Sequence, residues 1–222
     1  MTESAMTEPA MTESERPSEG AVARLVRDDC ERKKFLKMAG KPIGAAAAAT
    51  SLAAFIAACG GSSSSSSSGD LKIVNYALTL EYLESEFYAK VIKSRLFHGQ
   101  SLSVIKTFGH EEHEHVAALH KLAKSLGTPA AKPKGKFPIK NAGQVTKLAS
   151  VVENLGAAAY LGQAGHIQSK EILAAALAIH SIEARHAATL NLLLKKSPTP
   201  HGAFAKPASM SYVLKAVKPF IA

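Results

Sequence analysis

Glu81-Tyr-Leu-Glu-Ser-Glu-Phe-Tyr88 and Glu112-His-Glu-His115 are answered later in the chain by Glu153-Asn-Leu-Gly-Ala-Ala-Ala-Tyr160 and Ile182-Glu-Ala-Arg-His186. In each half one Glu precedes a Tyr by seven residues, and a second Glu precedes a His by three. The interval from first Glu to second is 31 residues in one half and 30 in the other. Four helices that each turn a carboxylate inward, two of them adding a His one turn on, form a dinuclear metal site inside a four-helix bundle. The doubled spacing therefore predicts an all-α fold and a metal chemistry together.

Apolar residues recur at helical intervals around these positions. They predict a first helix from about Leu71 to Phe97, with Val74, Leu78, Glu81, Tyr82, Ser85, Tyr88 and Ile92 on one face. Gly99 stops it, and Ser101 is the expected cap of a second helix that runs to about Leu126 before Gly127 and Pro129. Its inward stripe is Ile105, Phe108, Glu112, His115/Val116, Leu119, Ala123 and Leu126. Residues 127–143, rich in Pro, Gly and Lys, are too long for a tight turn and read as a crossover connection. The third helix is expected from about Gln144 to Ala164, and the fourth, its antiparallel neighbour, from about Ser169 to Lys195. After a Pro-rich stretch, the apolar residues between Tyr212 and Ile221 predict a short C-terminal helix packed on the bundle.

Residues three apart on a helix share a face, so Glu112 with His115, and Glu183 with His186, can each reach one point in the core. Glu81 and Glu153 lie mid-helix on apolar stripes, where an unpaired carboxylate is costly. Four converging carboxylates repel one another and take up protons unless cations compensate them. Two divalent cations balance four carboxylates, and the mixed oxygen and nitrogen donors suit iron or manganese. Candidate metal ligands are Glu81, Glu112, His115, Glu153, Glu183 and His186. Tyr88 and Tyr160, two turns beyond Glu81 and Glu153, are candidate catalytic residues placed to hydrogen-bond a ligand carboxylate. Glu84 is the alternative on the first helix and Glu111 on the second, but only Glu81 and Glu112 obey the repeat. His110, His113, His120 and His166 read as solvent-facing or helix-end residues; for His180, one turn before Glu183, a place beside the site is the less favoured reading.

The 222 residues divide into an N-terminal extension (1–31), an export signal (32–59), a Ser/Gly linker (60–70) and the helical domain (71–222). The export reading rests on the basic run Arg32-Lys33-Lys34-Phe35-Leu36-Lys37, followed by an Ala-rich apolar run that ends at Ile56-Ala57-Ala58-Cys59. The apolar run is short for a spanning helix. Residues 1–58 hold eight basic and eight acidic residues, so the net charge of +9 belongs to the remainder. Its bases are scattered, apart from Lys132, Lys134, Lys136 and Lys140, with no interleaved aromatics; this predicts a solvated basic face and no specific nucleic-acid partner. Neither Cys lies in the helical domain, which excludes a disulfide framework or thiolate site there.

In the four quoted stretches, and in Val213-Leu-Lys-Ala-Val-Lys-Pro-Phe-Ile221, the chain resembles the ferritin-like superfamily of di-iron carboxylate proteins, in particular its exported bacterial ferritin-like domain family. The resemblance covers roughly residues 71–221. It implies a pair of iron ions, with manganese as the other choice, held by the six ligands named above. It also implies oxygen or peroxide as the reaction partner, and Fe(II) oxidation or peroxide reduction as the activity. A metal-binding or stress-protection module without catalysis is the alternative. The domain lacks the Cys-rich module of the rubrerythrin type. All five Met lie outside the four long helices, so no haem is expected of the kind that bacterioferritins hold. Ile-Ala-Ala-Cys resembles a lipobox, which implies a lipid on Cys59, a cell-envelope location and a membrane partner. The Arg32–Lys37 run resembles a twin-arginine export motif, with Lys33 in place of the second Arg. A homodimer is compatible with such a tether, whereas a closed storage cage is not.

Overall fold

The computed structural model describes residues 67–222; the N-terminal extension, the export signal with Cys59 and most of the Ser/Gly linker lie outside the described residues. Four long helices follow one another: α1 (Ser67–Ser94), α2 (Gly99–Leu126), α3 (Ala142–Ala164) and α4 (Lys170–Leu193). A short helix α5 (Met210–Val217) and a 3-10 turn (Lys218–Phe220) close the chain. Among the described residues, no helix is long and apolar enough to cross a membrane.

Local chemistry sets the helix ends. Arg95 and Gly99 both adopt left-handed φ values (57° and 53°), which reverse the chain between α1 and α2 within a few residues. Because the reversal places Gly99 in the first turn of α2, His98 occupies the cap position and makes no side-chain cap bond. Ser101 is therefore helical and not the expected cap. Asn141 caps α3 by accepting from Gln144 N, and Ser169 caps α4 by accepting from Ile172 N. Asp70, almost fully buried, accepts from the backbone N–H groups of Gln168 and Ser169, both at 2.9 Å, and so ties the start of α1 to the α3–α4 turn.

The chain folds as two antiparallel hairpins, α1–α2 and α3–α4, joined by the crossover at 127–141. The crossover is pinned to α1: Gly135 N donates to Glu86 Oε2 (3.0 Å) and Lys90 Nζ donates to Gly135 O (2.6 Å). The tail pairs with the same loop, Lys136 N donating to Phe220 O and Ala222 N to Lys134 O. It also presses onto α3, where Ala208 N donates to Ala158 O. Gly162 is required there, because a Cβ at 162 would stand 1.9 Å from Ala208 O.

Two apolar clusters fill the bundle. Val74, Leu78, Leu119, Ala123, Ile172 and Ile179 belong to one end. Phe87, Val91, Ile105, Phe108, Val145 and Leu190 belong to the other. Val213 and Val217 of α5 pack with Tyr76, Leu80, Leu83 and Ala159 in a third. Burial of side chains of this size contributes roughly 1.5–3 kcal/mol each. Between the two end clusters lies a layer that is polar.

Candidate metal centre

That layer holds the doubled motif. Glu81 (α1), Glu112 (α2), Glu153 (α3) and Glu183 (α4) are each fully buried, and His186 is 2% exposed. His115 is less enclosed, with 12% of its side chain exposed. His115 Nδ1 lies 3.2 Å from Glu81 Oε2, 3.3 Å from Glu112 Oε2 and 3.3 Å from Glu183 Oε1. His186 Nδ1 lies 3.0 Å from Glu112 Oε1 and 3.2 Å from Glu153 Oε2. The ligand-type atoms form two groups, Glu81–Glu112–His115–Glu183 and Glu112–Glu153–Glu183–His186, each within 4.8 Å of one another. Glu112 and Glu183 belong to both. All six residues singled out by spacing meet in one layer.

The tyrosines bond crosswise. Tyr88 of α1 donates to Glu153 Oε1 on α3, and Tyr160 of α3 donates to Glu81 Oε1 on α1. The reciprocal order shows that α1 and α3 run antiparallel through the layer. Each tyrosine occupies Oε1 of its Glu while Oε2 faces the neighbouring histidine. Burial, the facing glutamates and these hydrogen bonds hold both phenols well above their ordinary range, so they remain donors.

The electrostatics are those of a cluster in which protons occupy the place of cations. Burial, then the charges of Glu112 and Glu81, push the Glu183 carboxyl well up. Burial and the Glu81 charge raise Glu112 to about 7. Burial alone lowers a histidine, but at His115 the Glu81 charge outweighs it and the imidazole is pushed up. Hydrogen bonds to Glu112 and Glu153 likewise outweigh burial at His186 and raise it to about 11. At Glu81 burial is overcome by the His115 charge and by several hydrogen bonds, so its carboxyl is lowered. Glu183 Oε2 is buried without any partner. Glu183 Oε1 and Glu112 Oε1 are buried and meet only His115 Nδ1 and His186 Nδ1, at 3.3 and 3.0 Å, without a well-aligned hydrogen bond. An orphaned buried polar atom costs about 1–3 kcal/mol. Carboxylate and imidazole donors converging with an orphaned oxygen fit hard or borderline divalent cations.

Two acids outside the repeat also reach the layer. Glu111 Oε2 lies 2.7 Å from His186 Nε2, holding the imidazole from behind while Phe108 stacks on its face at 4.0 Å between centroids. The equivalent of Glu111 in the other half is Ile182, so His115 has no such carboxylate. Glu84, 3% exposed, is buried beside the layer as well as Glu81. Its equivalent in the other half is Gly156. A Gly inside an Ala-rich helix costs about 1 kcal/mol against Ala and was the available signal that space is needed there. His180 is directed elsewhere: its Nδ1 lies 3.0 Å from the Ala157 carbonyl oxygen. His110, His113, His120 and His166 are exposed, as are Lys132, Lys134, Lys136 and Lys140.

The model of a ferritin-like domain matches residues 69–196, a span that covers α1 from its third residue, the whole of α2, α3 and α4, and every residue of the layer. The chain belongs to the ferritin-like domain family. No curated protein matches the chain. Within this ferritin-like bundle, the pairing of α1 with α3 and of α2 with α4 across the layer accounts for the repeat in the sequence. Each half supplies one tyrosine-held Glu, one shared Glu and one His.

Proposed function

We propose that this ferritin-like domain holds two iron ions, with manganese as the other choice, and oxidises Fe(II) with oxygen or peroxide at the cell envelope. The observation that carries the reading is the pair of four-residue ligand groups sharing Glu112 and Glu183, buried and including a Glu183 oxygen that no protein donor approaches. In this reading Glu81 and His115 would hold one cation and Glu153 and His186 the other, with Glu112 and Glu183 available to either. The metal pair, when bound, supplies electrons and open coordination positions for the oxidant. The chain's residues do the rest. Tyr88 and Tyr160 fix Oε1 of Glu153 and Glu81, leaving Oε2 for a cation. Glu111 holds the proton on His186 Nε2, which keeps Nδ1 free for a metal. The apolar clusters on either side exclude bulk water, and His115 is the least enclosed of the six candidate ligands.

Export and a lipid on Cys59 complete the proposal; they rest on the basic run, the apolar run and the Ile-Ala-Ala-Cys ending. A Ser run after Cys59 suits a flexible tether between membrane and bundle. The test is consumption of Fe(II) or peroxide by the iron-loaded protein, with Glu112→Ala and Glu183→Ala inactive. A second reading is favoured by the near-complete burial of the layer: a metal-binding module without turnover. Binding of two irons per chain with no consumption of either substrate would select it.

A further inference from the structure

Glu84 and Gly156 occupy equivalent positions in the two halves, one turn beyond Glu81 and Glu153. A Cβ built on Gly156 would stand 3.0 Å from Glu84 Oε1 and 2.7 Å from Glu183 Oε2. The missing side chain on α3 therefore makes room for two carboxylates at once: Glu183, one of the two glutamates common to both ligand groups, and Glu84 of α1 beside it. Glu84 Oε2 is buried and has no hydrogen-bond partner. No Lys, Arg or His forms an ion pair with Glu84 among the described residues, unlike Glu81, Glu112, Glu153 and Glu183, which each face an imidazole. A buried carboxylate without donor or counter-charge is among the costliest groups a core can hold. The bundle also bears the cost of a mid-helix Gly to accommodate it.

We infer that Glu84 is a seventh protein ligand of the metal centre, serving one of the two cations and making the two positions unequal. The inference rests on the dinuclear reading above. Because the other half has Gly at this place, only one cation can gain the extra carboxylate, and that position should be the harder and more oxygen-rich of the two. A purely structural Glu84 would need a donor, and the Tyr76 hydroxyl, which senses its charge and is itself buried, makes no hydrogen bond to it. The single gap on α3 and the single surplus carboxylate on α1 are two halves of one arrangement.

The experiment is an anaerobic titration of the metal-freed full chain with Fe(II), bound and free iron being separated by equilibrium dialysis, for the wild type, Glu84→Gln and Glu84→Leu. Thermal unfolding of each in chelator runs alongside. The expected result is two Fe(II) per wild-type chain and, in both variants, one Fe(II) held as in the wild type while the other is weakened by about tenfold or more. In chelator neither variant should unfold below the wild type, since each removes an unpartnered buried acid. A wild-type pair of irons that both variants also bind with unchanged affinity overturns the inference alone. So does a fall in chelator stability in both variants without selective loss of one iron. A wild-type chain that binds no pair of Fe(II) overturns the dinuclear reading, and this inference with it.

Discussion

Replacing Glu183 by Met separates what the layer costs the fold from what it does for a metal. Glu183 is fully buried; its Oε2 has no partner and its Oε1 meets only His115 Nδ1, at 3.3 Å. Met has similar length and no polar oxygen, so Glu183→Met removes the orphaned Oε2 and one source of repulsion for Glu81 and Glu112. His115, which loses its contact to Glu183 Oε1, keeps those to Glu81 and Glu112. At about 1–3 kcal/mol for an unsatisfied buried group, the metal-free variant should gain about 2 kcal/mol. For a domain of this size that corresponds to a Tm roughly 4–8 °C above the wild type in chelator. With metal the order inverts. Each cation at a free concentration of about 100 times its Kd adds about 2.7 kcal/mol to the wild type, and the variant forfeits most of this because Glu183 belongs to both ligand groups. Differential scanning calorimetry of both proteins, in chelator and with Fe(II) under argon, reads the four values. A Tm that falls in chelator too would refute the reasoning, since Glu183 would then be holding the fold together by itself.

Three other outcomes follow from the geometry. The metal-free domain should lose stability as pH rises from about 5 to 9. Glu112, raised from 4.5 to about 7, keeps in the native state a proton that the unfolded chain gives up above 4.5, and the stabilisation from His186 is complete below 6.5 and lost towards about 11. Each excess native proton contributes a slope of about −1.4 kcal/mol per pH unit; denaturant titrations in chelator at several pH values measure it, and a flat or rising profile contradicts it. Glu111→Gln should leave the fold intact but weaken metal binding about 10–100-fold, because His186 Nε2 loses its carboxylate, and a competition titration against a chelator reads the change. Gly162→Val should lift the tail from α3, since even a Cβ there meets Ala208 O at 1.9 Å; limited proteolysis between residues 196 and 209 should accelerate while metal content stays at the wild-type level.

The six residues that converge in the layer were legible because each was stated twice in the sequence at nearly equal spacing. A repeat cancels local ambiguity: Glu81 over Glu84, and Glu112 over Glu111, are choices that neither half makes alone. The same criterion hides whatever breaks the repeat. Glu84 with Gly156 and Glu111 with His186 are pairings across helices, between positions whose equivalents carry different residues. Spacing along one helix could place Tyr88 and Tyr160 near a carboxylate, yet it could not show that each reaches the Glu of the opposite half. That depends on the antiparallel course of α1 and α3. Helix ends were legible where a side chain caps them, as at Asn141 and Ser169. The start of α2 was not, because left-handed Arg95 and Gly99 turn the chain before Ser101 can act as cap. Asp70, read as the last residue of a linker, is a buried anchor, because its two acceptors find backbone N–H groups almost one hundred positions away.

The central claim is that this ferritin-like layer exists to hold two cations. Metal analysis of the full chain, after anaerobic loading with Fe(II) and removal of free iron, tests it most directly. Two irons per chain in the wild type, and no more than one in Glu112→Ala, is the predicted result, since Glu112 is shared by both ligand groups. Less than one iron per wild-type chain, or two irons retained by Glu112→Ala, would contradict it.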